Sequence, residues 1–225
     1  MRAQEWLPDA AAVTVAAQWL GSRGPEWSRL IGRIGPCGWT VNTTREPFEA
    51  LVRSIAFQQV HARAAEAILG RFLDLYPGTA FPHPDSILAS ESSLLRAVGF
   101  SGSKILAIRA IAAAAASGIV PTRKEAASLD DAALIERLVT IRGVGRWTVE
   151  MLLMFTLGRP DVLPVDDFGV REGWRVLYGL SRQPKPKDLA EAGRSLSPWR
   201  TVASWYLWRA ADAARERKAA GSPVT

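Results

Sequence analysis

The sequence predicts an all-α protein of about ten helices. Through most of the 225 residues, apolar side chains recur at spacings of three and four, the period of a helix with one buried face. No stretch alternates apolar and polar residues between hairpin signals, so few strands are expected. Helix punctuation also falls in the right order, with Ser, Asp or Pro before the periodic runs and Gly after them.

The elements follow along the chain. "TVAAQWLG" and "EWSRLIGRIG" read as two N-terminal helices. Residues 46–60 put Phe48, Leu51, Val52, Ile55 and Ala56 on one face, with Pro47 suited to the first turn. "ESSLLRAV" has Ser90 as its candidate cap and stops at Gly99. The alanine-dense "SKILAIRAIAAAAASG" is capped by Ser101 or Ser103 and ends at Gly118. "DDAALIERLVTI" spaces Leu134, Ile135, Leu138 and Ile141 as a helix does, and Trp147, Met151, Leu152 and Phe155 resume the pattern after a glycine turn. "KDLAEAGRSLS" and "WRTVASWYLWRAADAARERK" complete the set. Breaks are expected at 76–86, 158–167 and 181–187, and the last residues, 216–225, read as a fraying tail.

Composition narrows the class. Apolar residues make up 48% and charged residues 22%, the balance of a globular chain rather than a disordered one. The net charge of +6 and a pI near 10.0 favour an acidic partner, nucleic acid first. One cysteine, Cys37, excludes an internal disulfide and any cysteine-built zinc or iron–sulfur site, and two histidines, His61 and His83, are too few for a histidine-rich one. The N-terminus is broken by Pro8 and Asp9, unlike a secretory leader. With no apolar run of 18 residues, no membrane span is expected, and a reducing cytoplasm is the default.

Two segments carry chemistry. "LIERLVTIRGVGRWTVEMLL" reads as helix, tight turn, helix. Glycine tolerates positive φ and lets another group approach its backbone closely. Amides aligned before a helix N-terminus form an anion site, and Arg142 and Arg146 flank this one. The spacing h-x-x-h-x-G-h-G followed by an amphipathic helix is the signature of the helix-hairpin-helix, a DNA phosphate grip. Twenty residues on, "VLPVDDFGVREGW" places Asp166 and Asp167 before a helix, where one of them serves as its N-cap.

Taken together, "PFEALVRSIAFQQVHARAA", "LRAVGFSGSKILAIRAIA", "LVTIRGVGRWTVEMLLMF", "LPVDDFGVREGW" and "PWRTVASWYLWRA" resemble the helix-hairpin-helix (HhH-GPD) DNA glycosylases. The nearest resemblance is to the 3-methyladenine DNA glycosylases of the AlkA type, from about residue 46 to 213. The resemblance implies a two-lobed bundle with the DNA-binding and active-site cleft between the lobes. One lobe would span 46–160, and the catalytic loop and C-terminal helices 161–215. Residues 1–45 are too few for the mixed-sheet domain that many AlkA-type proteins carry, so they are expected to be helices packing with the C-terminal lobe.

The resemblance also implies roles. The catalytic aspartate stands two positions after the proline, at Asp166, with Asp167 the second choice. Trp147 occupies the position where bifunctional relatives carry a nucleophilic lysine, so a monofunctional enzyme is implied. Trp147, Trp208 and Met151 correspond to the base pocket, with Met151 where a tyrosine is usual. Gln59 falls at the wedge that fills the gap left by the flipped base, with His61 beside it toward the minor groove. Arg142, Gly143, Val144, Gly145 and Arg146 form the phosphate-binding hairpin, and Lys104 is a further candidate phosphate contact. A Na+ or K+ would sit on the carbonyls of Val139, Ile141 and Val144; no cofactor is otherwise required. The expected activity is hydrolytic release of 3-methyladenine, 7-methylguanine and related bases from double-stranded DNA by a monomer, in the cytoplasm of a bacterium or the nucleus of a eukaryote. Alternatives are a glycosylase for hypoxanthine, ethenoadenine or oxidised purines, and a non-catalytic binder using the hairpin as a grip.

Overall fold

The structure, a computed structural model, describes residues 9–221. Thirteen α-helices and one 3-10 turn form its regular structure, and no strand occurs among the described residues. None of these helices is long and apolar enough to cross a membrane. The leader reading of the first eight residues and the end of the expected tail, 222–225, lie outside the described residues. Two compact units divide the chain: Asn42–Leu157, and the described residues up to Val41 joined to those from Gly158 onward.

The helices are α1 (Ala10–Gly21), α2 (Pro25–Ile34), α3 (Pro47–Phe57), α4 (Ala62–Asp74), α5 (Pro84–Ala89), α6 (Ser92–Ala97) and α7 (Gly102–Ala116). Then come α8 (Arg123–Ser128), α9 (Asp131–Leu138), α10 (Arg146–Phe155), α11 (Phe168–Leu177), α12 (Pro186–Ala192) and α13 (Arg200–Ala219). The total exceeds ten because three helices were not read from the sequence: α5 and α8, six residues each and too short to show a period, and the 13-residue α4. Of these, α5 begins inside the stretch read as a break, at Pro84. Ser90 does not cap α6: it closes α5, and its hydroxyl donates back to Ser86 O at 2.8 Å.

In the first unit α3 is the central element, packed on α4, α7 and α10. Its face of Leu51, Val52, Ile55 and Ala56 is wholly buried. Each large aliphatic side chain contributes about 1.5–3 kcal/mol. Phe48 lies at the edge of that face, meeting Phe81 edge-on at 5.8 Å. The small residues of α7 let α3 and α5 pack against it, and Ser101, of its two candidate caps, accepts from Lys104 N at 3.4 Å.

In the second unit α13 packs against α1, α2 and α11. Trp27, fully buried, meets Trp174 edge-on and donates its indole N–H to Tyr178 Oη at 3.1 Å. The buried Tyr206 donates to Gly35 O at 2.9 Å, and burial pushes its phenol up to about 12. Asp161 receives Arg200 in a two-pronged pair at 2.7 and 2.9 Å, fixing the first turn of α13. Burial alone would raise its carboxyl; the hydrogen bonds from Arg200 and Ser197 outweigh that and hold it below its ordinary value. At its other end α13 stays helical to Ala219, past residue 216 where the tail was expected to begin.

Burial pushes the Cys37 thiol up to about 11, against a smaller downward pull from a backbone hydrogen bond of Trp39. Because the thiolate is the nucleophile, native Cys37 should react with iodoacetamide at pH 8 about a hundredfold more slowly than the unfolded chain. Mass spectrometry of the alkylated protein reads this directly; equal rates would mean that the second unit does not shield the thiol.

Candidate active site

The turn between α9 and α10 closes through three backbone bonds: Val139 N to Ile135 O, Ile141 N to Leu138 O and Val144 N to Ile141 O, at 3.0–3.1 Å. Val144 and Ile141 point inward and are buried, while Arg142, Gly143, Gly145 and Arg146 are exposed. The two glycines have different physical reasons. Gly143 has φ +85°, and a Cβ there would stand 2.4 Å from Ala107 Cβ on α7, so its glycine is dictated by the fold. Gly145 has an ordinary extended conformation (φ −92°), and a Cβ there would meet nothing within 4 Å. Nothing in the fold requires a glycine at 145. Its amide and that of Arg146 donate to no described residue, leaving two N–H groups open at the start of α10, where the helix dipole favours an anion. Arg142 makes no ion pair among the described residues, whereas Arg146 is tethered to the buried Glu150 at 2.9 Å.

A pair of variants separates these reasons. Gly143→Ala should cost about 2–4 kcal/mol through collision and left-handed strain. Gly145→Ala should melt as wild type yet bind duplex DNA about tenfold more weakly, by displacing a phosphate from the N–H groups. Thermal melts and fluorescence anisotropy check both; wild-type affinity in Gly145→Ala would remove the phosphate from this turn.

The two neighbouring aspartates are also unlike. Asp167 is the N-cap of α11: its Oδ1 accepts from Val170 N and from the Trp208 indole N–H, each at 2.8 Å. Asp166 is exposed, and its carboxylate bonds to no described residue. Trp208 is half-buried, and its ring runs so close over Gly169 that a Cβ at 169 would lie 2.7 Å from Trp208 Cδ1. Asp167 and Gly169 together therefore set the angle of this indole. Asp167→Asn should lower stability by about 1–2 kcal/mol, having lost a charged cap and a charged acceptor. The change in Trp208 environment would show as a near-ultraviolet dichroism shift, which an unchanged spectrum would exclude. Trp147 and Met151, one helical turn apart on α10, are both half-buried.

Gln59 follows α3 with φ +56°, the one non-glycine in the left-handed region among the described residues. Such a conformation costs about 1–2 kcal/mol, and strain of this kind gathers where a side chain must be presented. Its side chain is exposed, as is that of His61, the N-terminal cap position of α4, which makes no capping bond. The loop is anchored from both sides. Gln58 Nε2 donates to Thr148 Oγ1 at 3.3 Å, and Lys104 Nζ donates to Ala56 O at 2.8 Å. Lys104 thus braces the last turn of α3. Burial lowers its ammonium from its ordinary value.

Sequence reasoning missed Gly169, Gly173, Gln58 and the Lys104 brace. The glycines were recoverable: "FGVREGW" spaces them four apart on one face of a helix, where small residues mark close approach of another backbone.

Comparison with known proteins places the chain. The family model of HhH-GPD superfamily base excision DNA repair proteins matches residues 52–198. The chain belongs to that superfamily. It is 41% identical over 201 residues to DNA-3-methyladenine glycosylase 1 of Schizosaccharomyces pombe, covering 88% of this chain and 87% of that one. The solved structure of that organism's 3-methyladenine DNA glycosylase (Mag1) in complex with abasic DNA superimposes with a TM-score of 0.80, at 41% identity, over 86% of this chain and 95% of that chain. A DNA-3-methyladenine glycosidase from Bacillus halodurans matches at 0.77 with 35% identity, over 89% and 91% of the two chains.

Proposed function

We propose that this chain is a monofunctional DNA glycosylase of base excision repair, releasing alkylated bases from double-stranded DNA to leave abasic sites. The observation that carries it is the division of labour at "VDD": Asp167 is consumed by the cap and by Trp208, while Asp166, one residue before that cap, is exposed with its carboxylate bonded to no described residue. The relatives' names and the complex of one of them with abasic DNA support the same reading.

A base inside a duplex is out of reach, and extruding it costs a few kcal/mol. Sequence-indifferent binding at the hairpin offsets that cost, and Gln59, already in its strained turn, would occupy the gap with His61 beside it. Trp208, Trp147 and Met151 are assigned to the base pocket. Bases methylated at N3 of adenine or N7 of guanine are cationic and leave readily, so no general acid is needed; an indole face adds about 0.5–2 kcal/mol for such a cation. As C1′–N cleavage proceeds, the bonding pair goes to the base and positive charge grows on the sugar. The Asp166 carboxylate stabilises that charge and draws a proton from the water that adds to C1′. Trp147 has no amine to form a Schiff base, so the strand is not cut. A Na+ or K+ on the carbonyls of Val139, Ile141 and Val144 would make the turn more positive toward a phosphate. The Ile141 oxygen, which accepts one N–H, keeps a second lone pair for it. We assign the protein, as a monomer, to the compartment that holds the DNA.

The test is release of 7-methylguanine and 3-methyladenine from methylated duplex under single-turnover conditions, with strand breaks scored before and after hot alkali. Base release with breaks only after alkali is expected. Breaks before alkali would mean a lyase, and tight salt-sensitive binding without release would leave a grip without an enzyme.

A further inference from the structure

The hairpin accounts for little of the chain's surplus charge of +6. A trough of 760 Å³ in the second unit, bounded by α2, α11 and α13, holds much more: six cationic and two acidic side chains line it, a surplus of four. Three of its cations have carboxylate partners: Arg29 with Glu26, Arg175 with Glu172, and Arg215 with Asp212 on the rim. The other three, Arg33 in the last turn of α2 and Arg217 and Lys218 in the last turn of α13, have none among the described residues. Between the charges the lining is apolar. Phe168, 62% exposed, stands two residues after Asp166, and Leu180 lies beyond the end of α11.

We infer that this trough is a second nucleic-acid site, taking the backbone of the DNA strand that flanks the lesion held at Asp166. The inference rests on the glycosylase reading. Exposed cations interleaved with an aromatic and an aliphatic side chain suit a duplex backbone whose phosphates meet charge and whose sugars meet apolar surface. A trough of this size admits more than one phosphate, and its concave shape denies it to a bilayer, which needs a convex or flat face. The exposed Phe168 ring joins the trough directly to the catalytic loop, so the polyanion engaged at Asp166 is the one closest to hand.

The experiment compares wild type with the triple variant Arg33→Ala, Arg217→Ala, Lys218→Ala. Both are titrated with two duplexes carrying an abasic-site analogue, one ending close to the lesion and one with long flanks, across a range of salt. For the long duplex the variant should lose affinity by tenfold or more, and its log–log salt slope should fall by about 2 to 3 units, near 0.9 for each lost phosphate contact. Affinity for the short duplex, melting temperature and the single-turnover rate of base release at saturation should stay at wild-type values. An unchanged long-duplex slope overturns the inference. So does an equal loss on both duplexes, which would assign these cations to the lesion itself. Failure of wild type to bind either duplex would instead sink the glycosylase reading, a result separable from both.

Discussion

Asp166→Asn is expected to slow base release about a hundred- to a thousandfold while melting as wild type and binding duplex with nearly unchanged affinity. The asparagine is isosteric, and the carboxylate it replaces is exposed and bonded to no described residue, so the fold loses nothing. What disappears is the negative charge opposite the developing oxocarbenium sugar and the acceptor for the proton of water. Removing one preorganised electrostatic partner costs about 10²–10³ in rate. Single-turnover release of 7-methylguanine measures it, and run beside Asp167→Asn it assigns the pair. The first variant should lose rate at constant stability, the second stability together with the Trp208 signal. If the two results were exchanged, the catalytic group would be Asp167 and the mechanism above would be wrong.

Gly173→Ala should leave the second unit unable to fold normally. A Cβ at 173 would lie 2.0 Å from Leu207 O and within 2.7 Å of its carbonyl carbon and Cα, all backbone atoms of α13. No rotamer change relieves that; α11 and α13 must separate, opening the contact that buries Val170, Trp174 and Leu207. Overpacking against side chains costs about 1–3 kcal/mol, and against backbone the cost should exceed 4 kcal/mol, most of a small protein's stability. Urea unfolding followed by tryptophan fluorescence is the measurement. Gly169→Ala, whose Cβ meets the movable Trp208 ring, should lose less stability but displace that indole from Asp167. Wild-type stability in Gly173→Ala would mean that the helices are not in backbone contact there.

Much of this architecture was readable from periodicity. Leu51, Val52, Ile55 and Ala56 fell on one face because a helix must bury one stripe, and that stripe is the buried core of α3. The hairpin was readable because its glycines break two amphipathic runs, yet their separate causes were not. Whether a Cβ at 143 or 145 would strike anything depends on Ala107, 36 residues earlier in the chain. The sequence narrowed the helix cap to Asp166 or Asp167 and no further; the bonds that Asp167 Oδ1 accepts from Val170 N and from Trp208, 41 residues away, distinguish them. The Lys104 brace was hidden for the same reason. Its partner is a backbone oxygen, Ala56 O, and carbonyls leave no trace in composition. The short α5 and α8 were obscured by length alone.

The second unit is written in the chain as two pieces around the first, and this has a consequence for how the protein is made. Trp27 and its partner Tyr178 are 151 residues apart. On the ribosome, α1 and α2 emerge early but meet neither α11 nor α13 until nearly the whole chain has been synthesised. Ordering of Asn42–Leu157 in the interval turns a floppy loop of that length into a compact spacer, cutting the closure entropy before the last helices arrive. Synthesis stopped between Leu157 and α13 therefore yields a finished hairpin domain trailing two orphaned, tryptophan-bearing helices, a species that chaperones and proteases would meet before DNA does.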